Sequence, residues 1–361
     1  MKALCIYAGP TARRHIEQNG LQASDVRVIP GAAGGPKGLV LGPLDRFIFG
    51  QWLNGSTQPI DLVGASIGAW RVATACLDDP VAALLRLEHD YIHQEYEVLP
   101  GKKGPTADHI SEKFSENLEA FYGGKLSQVV GHPRYRLHVI TSRGRGLLAR
   151  EGMLRTPAGY AGAFFTNAVR RKAMGAWLER VVFSSTSGDA MHALPFATGD
   201  YRTRQIALST DNFMPALQAS CSIPFVLRAV HDIPGAPRGA YWDGGITDYH
   251  LHLNYQTPPS GIVLYPHFQK AVIPGWLDKG LKWRHKPSHF LDSTVVLAPN
   301  PEWLKTLPNG KLPDRTDFTR YGTDLQARVK AWSTAAAASA QLADEFAQWL
   351  GAPDLLKIQA L

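Results

Sequence analysis

The chain has 361 residues, 45% of them hydrophobic and 19% charged, a composition that excludes a disordered or fibrous protein and is sufficient for a sizeable core. No apolar run approaches the roughly 18 residues of a membrane-spanning helix. Lys and Arg outnumber Asp and Glu by 38 to 31, a formal net charge of +7, which suits either anionic partners or a plainly solvated basic surface.

In chain order, Met1 to Ala8 is too short for a signal-peptide core and leads into Arg13-Arg14-His15 with no cleavage site, so it predicts a first strand, Ala3–Ala8. Further strands are predicted at Val26–Ile29, Ile60–Val63, Arg136–Thr141, Gln205–Ser209, Gly261–Tyr265 and Thr294–Ala298. Apolar strands alternating with amphipathic helices argue for a mainly parallel sheet in a three-layer α/β/α arrangement. Asp79 before Pro80 predicts an N-cap, ahead of a helix containing Leu84, Leu85, Leu87, Tyr91 and Ile92. Near the C-terminus Leu325, Val329 and Trp332, then Leu342, Phe346 and Trp349, predict a helix that Gly351 and Pro353 stop. Stretches rich in Gly, Pro and Lys at 100–105, 233–239, 257–260 and 299–313 predict surface loops. The expected organisation is one α/β domain over residues 1–300, with a C-terminal helical extension over 301–361 packed on it. Cys5, Cys76 and Cys221 are odd in number and far apart, so a reducing, cytoplasmic setting is expected rather than a disulfide framework.

The most specific segment is Gly64-Ala65-Ser66-Ile67-Gly68, directly after the apolar run Ile60-Asp61-Leu62-Val63. A strand ending in such a turn forms a nucleophile elbow: small neighbours let the backbone bend sharply, and the following helix directs its N-terminus at the serine. Upstream lies Gly31-Ala32-Ala33-Gly34-Gly35-Pro36-Lys37-Gly38-Leu39, after one strand and before an apolar helix with Leu39, Val40, Leu44, Phe47 and Ile48. Its small residues expose amide groups that can hold an oxyanion, each such donor being worth about 3–4 kcal/mol in a transition state. The segment fails the P-loop pattern, since Pro36 precedes Lys37 and Gly38 follows it, and its glycine spacing fails the dinucleotide fingerprint; a purely structural turn remains open. Downstream, Trp242-Asp243-Gly244-Gly245-Ile246 sets a carboxylate on a turn, or is an ordinary Asp-Gly turn.

Four blocks in order carry a family resemblance: Gly34-Gly35-Pro36-Lys37-Gly38, Gly64-Ala65-Ser66-Ile67-Gly68, Ala219-Ser220-Cys221-Ser222-Ile223-Pro224 and Asp243-Gly244-Gly245. In this order the chain resembles the patatin-like phospholipases. It departs from them at Ala33, where the oxyanion loop usually begins with glycine, and in the strand and helix ahead of that loop. The resemblance implies a Ser66–Asp243 dyad without a catalytic histidine, an oxyanion hole from Gly34 to Gly38, and support from Gly64, Gly68, Gly244 and Gly245. It implies hydrolysis of acyl esters of lipids, phospholipid or acylglycerol, through an acyl-serine, with neither metal nor organic cofactor and no nucleic acid. Lys37 then faces an anionic head group or solvent.

Three alternatives stay open. A conventional Ser-His-Asp esterase would draw its base from His250, His252, His267, His285 or His289. His89 and His93 are four apart but lack the intervening glutamate of a zincin. A non-catalytic lipid-binding protein would keep the same fold. The basic stretch Trp276, Lys279, Lys282, Trp283, Arg284 and Lys286 either touches a membrane surface peripherally or is an exposed loop with its tryptophans packed inward.

Overall fold

The computed structural model describes residues 1–98, 104–188 and 190–361; of the loop expected at 100–105, residues 100–103 lie outside the described residues. From the N-terminus, β1 (Leu4–Ala8) leads into α1 (Pro10–Asn19), β2 (Val26–Gly31), α2 (Gly42–Gly50), β3 (Ile60–Ala65) and α3 (Ile67–Thr74). There follow α4 (Pro80–His93), α5 (Ala107–Tyr122), α6 (Leu126–Val130), β4 (Tyr135–Gly144), α7 (Arg155–Val169) and β5 (Leu178–Ser184). A small hairpin, β6 (Thr186–Ser187) with β7 (Ala190–Met191), precedes β8 (Thr203–Ala207), α8 (Phe213–Cys221), β9 (Val230–His231) and β10 (Ala240–Asp243). The chain closes with β11 (Ile262–Pro266), β12 (Thr294–Pro299), α9 (Pro301–Leu304), α10 (Thr316–Tyr321), α11 (Leu325–Ala338), α12 (Ala340–Gly351) and β13 (Ile358–Ala360).

The fold is α/β: a mixed, mostly parallel sheet flanked by helices. Its order is β13-β1-β12-β11-β2-β3-β4-β10-β9, with β5 and β8 branching from β4. The central neighbours β12, β11, β2, β3 and β4 run parallel, while β1 opposes β12, and β5 and β10 oppose β4. Strand residues alternate between the two faces as a pleated strand requires. Ile60 and Leu62 of β3 join the largest apolar cluster under α2, α3, α5, α8 and α12, whereas Val63 and Ala65 face a second cluster with Tyr249, Leu251 and Leu253.

β5, β6, β7, β9, β10 and β13 escape the predicted set, and for β5 and β10 the reason is identifiable. β5 is buried throughout, yet Glu179 and Arg180 interrupt its apolar run. Both are buried with partners, Arg180 gripping Asp248 at 2.6 and 2.7 Å and Glu179 accepting from Arg143 at 2.9 Å. β10 has only four residues, too few for periodicity to register.

The helix start at Asp79 is as expected, with its carboxylate accepting from the Ala82 amide at 3.0 Å. The single C-terminal helix is a correction: it breaks at Ser339, whose hydroxyl donates back to the Ala336 carbonyl at 2.6 Å. Trp332 and Leu342 are ten residues apart, which at ~100° per residue puts them on different faces of one straight helix; the break lets both turn inward. The expected loop at 299–313 also holds the short helix α9, capped by Asn300 at 2.9 Å from the Glu302 amide. The C-terminal residues return to the sheet, where β13 pairs with β1 and Glu345 accepts from the Ala3 amide at 2.9 Å.

Two contacts brace the region after β3. Arg71 of α3 meets Asp45 of α2 through two bonds of 2.7 Å inside the protein, a bidentate pairing that holds both helices in register. Gly68 and Gly31 touch backbone to backbone: a Cβ on Gly68 would stand 1.9 Å from the Gly31 carbonyl oxygen. We expect Gly68→Ala to cost about 3 kcal/mol or more in urea unfolding, while Gly55→Ala, with open space around it, stays within about 0.5 kcal/mol of the parent.

Candidate active site

Ser66 stands between β3 and α3 with φ 57° and ψ −133°. A side-chain-bearing residue held there stores about 1–3 kcal/mol of backbone strain, so the surroundings must secure it. They do so through Ser220 of α8, whose Oγ accepts from the Ser66 amide at 2.9 Å and donates to the Ile140 carbonyl at 2.7 Å.

The end of β10 arrives at the same place. β3 lies parallel to β4 with Ala65 beside Ile140, and β10 lies antiparallel to β4 with Asp243 beside Thr141. The two strands therefore occupy one edge of β4 end to end, and the residues at their tips meet. Ser66 Oγ donates to Asp243 Oδ2 at 2.7 Å, and both residues are buried. The other carboxylate oxygen, Oδ1, accepts from the Gly245 amide at 2.7 Å. Asp243 is clamped through its backbone as well: its amide donates to the Ser222 carbonyl at 2.9 Å, and its carbonyl accepts from Ser142 Oγ at 2.9 Å. Gly244 has no space for a side chain, since a Cβ there would stand 2.1 Å from the Ile140 carbonyl oxygen.

Burial pushes the Asp243 carboxyl up to about 6; the bond from Ser66, the charge of Arg315 and the Gly245 amide each pull it back. The carboxylate is thus a stronger base than an exposed aspartate, yet it is still largely ionised near neutral pH.

The glycine segment lines the same cleft. Gly34 and Lys37 face it directly, together with Ser66, Asp243, Ile223 and Trp276. Gly35 has φ +58° and opens a tight turn that contains Pro36, Lys37 and Gly38. The Ala33 amide is spent on the Tyr249 carbonyl at 2.9 Å, whereas among the described residues the Gly34 and Gly35 amides donate to no backbone carbonyl. The departure at Ala33 therefore falls on an amide already committed elsewhere. Gly64 and Gly68 flank Ser66: Gly64 lets α3 pack closely on β3, and Gly68 lets it approach Gly31 at the end of β2.

No histidine is among the residues lining this cleft. His250 is buried and bonds the Ala271 carbonyl at 3.1 Å, His252 reaches Ser288 at 2.8 Å, and His285 reaches the Asp278 carbonyl at 3.0 Å. His267 is likewise buried and bonds the Gln269 carbonyl, while His289 stacks edge-on against Phe290. His89 and His93 stack on each other on α4, and among the described residues no group of three or more potential metal ligands forms.

Two cations at the cleft carry no motif: Lys279, and Arg315 at the start of α10. With Lys37 they give three positive groups around the mouth. Arg315 approaches the oxyanion segment, its Nε lying 3.4 Å from where a Cβ on Gly35 would stand. Burial and then the charge of Lys279 lower Lys37, and Lys279 is lowered by its burial and by Arg315. The neighbouring Asp314, which also lines the cleft and is bound to Lys311 at 2.8 Å, raises both lysines and offsets this charge only in part. Ser220 is the other residue without an assigned role in the sequence; it lay within a quoted block, but only the fold shows what it holds.

The fold and site define an α/β protein with a buried, hydrogen-bonded serine and aspartate at the meeting ends of two strands. No family profile matches the chain and no curated protein does. Among solved structures the chain is similar to VipD from Legionella pneumophila at 13% identity and a TM-score of 0.38, over 91% of this chain and 67% of that one, a likeness too slight to carry an argument.

If Asp243 works as a base, its ionised form is the active one, and activity on an uncharged ester is lost as pH falls through about 6. Arg315 favours that ionised form, so Arg315→Gln is expected to move the acidic limb of the kcat/KM profile to higher pH. An unmoved limb would separate Arg315 from Asp243.

Proposed function

We propose that this chain is a serine acyl hydrolase acting on carboxylic esters of lipids, with Ser66 as nucleophile and Asp243 as base. The observation that carries the reading is the 2.7 Å bond from Ser66 Oγ to Asp243 Oδ2 on a strained turn at the foot of a cleft. The order of the four sequence blocks, which resembles that of the patatin-like phospholipases, supports lipid esters as the class.

In the proposed course Ser66 Oγ attacks the ester carbonyl while its proton passes to Asp243 Oδ2. The amides of Gly34 and Gly35 take the oxyanion, and the positive end of α3 adds to their field. Collapse expels the alcohol, which receives the proton from Asp243, and leaves an acyl-serine. Water then attacks the acyl carbon, giving its proton to Asp243. When the acid departs, that proton returns to Ser66 Oγ, which restores both groups. No metal or organic cofactor is invoked. Lys37, Lys279 and Arg315 favour an ester that carries negative charge close to the scissile bond.

The test is hydrolysis of a medium-chain nitrophenyl ester, with labelling by a fluorophosphonate alongside. Ser66→Ala and Asp243→Asn should each lose about 10³-fold or more in kcat/KM, and the serine variant should lose the label. His250→Gln and His252→Gln should remain within about threefold of the parent, since their side chains are committed elsewhere. Equal loss in a histidine variant would replace the dyad by a triad; an unlabelled, inactive parent would leave a lipid-binding protein without turnover.

A further inference from the structure

Helix α7, beside the cleft, carries apolar residues on its outward face as well as its inward one. Its buried positions are Thr156, Gly159, Tyr160, Ala163 and Asn167, with Asn167 donating to Asp278 at 2.8 Å. Its outward positions are apolar: Phe165 is 67% exposed and Val169 87%, and Leu154 just before the helix is 80% exposed. A surface helix of a soluble domain normally presents charge on that face, and a contiguous exposed apolar patch marks a surface that something covers.

The patch extends to the mouth of the cleft. Tyr160 lies edge-on to Phe225 with centroids 6.1 Å apart, and Phe225 follows Ile223 and Pro224, which line the cleft. Phe225 is 61% exposed and held at φ 68°, an outward-facing aromatic ring in a conformation that such residues avoid. On the other side Arg284 donates to the Ala168 carbonyl at 3.1 Å, which brings the turn bearing Trp283, 66% exposed, against the end of α7. Of the two tryptophans in that basic stretch, Trp283 therefore faces outward, while Trp276 lines the cleft.

Positive charge predominates around the patch, and Glu151 at its edge is paired with Arg228. Residues 152–178 contain Arg155, Arg170, Arg171 and Lys172 and no carboxylate, and residues 279–291 contain Lys279, Lys282, Arg284 and Lys286 and none either. Asp278, between the two segments, is buried and bound to Asn167, Arg171 and Arg284. Arg171 and Arg284 are thereby paired, whereas Arg155, Arg170, Lys172, Lys279, Lys282 and Lys286 meet no carboxylate among the described residues. Apolar side chains ringed by such cations fit an anionic bilayer surface, where the rings enter the acyl boundary and the cations meet the lipid phosphates.

We propose that the outward face of α7, with Phe225 and Trp283, docks on a membrane surface carrying anionic lipid and sets the mouth of the Ser66 cleft against it. The docking itself does not depend on turnover; its use in lipid hydrolysis rests on the function proposed above.

The test is co-sedimentation of the full chain, and of Ser66→Ala, with vesicles of phosphatidylcholine alone or with roughly one-third phosphatidylglycerol. Both chains should bind the anionic vesicles at least about tenfold better than the neutral ones, and less as salt rises. Phe165→Ser/Val169→Ser and Arg170→Gln/Lys282→Gln should each weaken binding about tenfold or more, with thermal unfolding unchanged because these side chains face outward. The proposal is overturned if the parent does not sediment with anionic vesicles. It is equally overturned if both double variants bind as the parent does, or if the face instead forms a dimer that Phe165→Ser/Val169→Ser converts to monomer. Hydrolysis of a soluble ester without vesicle binding sinks the docking alone. Vesicle binding with no hydrolysis and no fluorophosphonate label supports the docking and sinks the hydrolase.

Discussion

The site hangs on one strand. β4 carries β3 along one edge in the parallel sense up to Ile140, and β10 along the same edge in the antiparallel sense from Thr141 onward. Two strands of opposite direction must point their ends at each other when they share an edge. Consecutive residues of β4 therefore set the separation of Ser66 and Asp243, although the two are 177 positions apart in sequence. β5 covers the other edge of β4 across this junction, pairing from His138 to Gly144, so the strand that sets the spacing is itself bonded on both sides where it matters.

The strain at Ser66 is held by hydrogen bonds that lead back to the same strand. Ser220 bridges the Ser66 amide to the Ile140 carbonyl, and the next turn of chain uses the Ser222 carbonyl to hold the Asp243 amide. A single segment of α8 and its exit thus touches both residues of the pair. An unpaired amide in such a buried place would cost about 1–3 kcal/mol, which explains why a small hydroxyl is placed there. The close backbone contact of Gly31 with Gly68 brings the glycine segment against α3, and Gly34 lines the same cleft as Ser66.

Electrostatics then divide the site into two parts. Around Asp243 burial dominates, and it raises the carboxyl to about 6 despite the bonds from Ser66 and Gly245. Around the mouth the cations outnumber the carboxylates: Lys37 and Lys279 are lowered by burial and by neighbouring cations, and Asp314, also bound to Lys311, offsets them only in part. Positive charge at the rim and a buried carboxylate below it are what an anionic ligand entering the cleft would meet, in that order. Further out, the same sign of charge predominates around the apolar face of α7.

Local pattern was enough to locate the strand before Ser66, the elbow, the glycine segment and the Asp-Gly turn, because each depends on residue types within a few positions. Small residues are required where backbones touch, and alternation shows directly in a half-buried strand. Pattern failed for β5, where buried charges paired at long range break the apolar run, and for β10, which is too short to show a period. It ran the two C-terminal helices together, because a hydroxyl closing back on its own helix at Ser339 leaves no periodic trace. Only the tertiary structure decided that Ser220 supports the elbow, that Arg315 from the C-terminal segment reaches the cleft, and that the apolar residues of α7 face outward. Each of these depends on which distant groups are brought within a few ångströms, and sequence spacing carries no record of that.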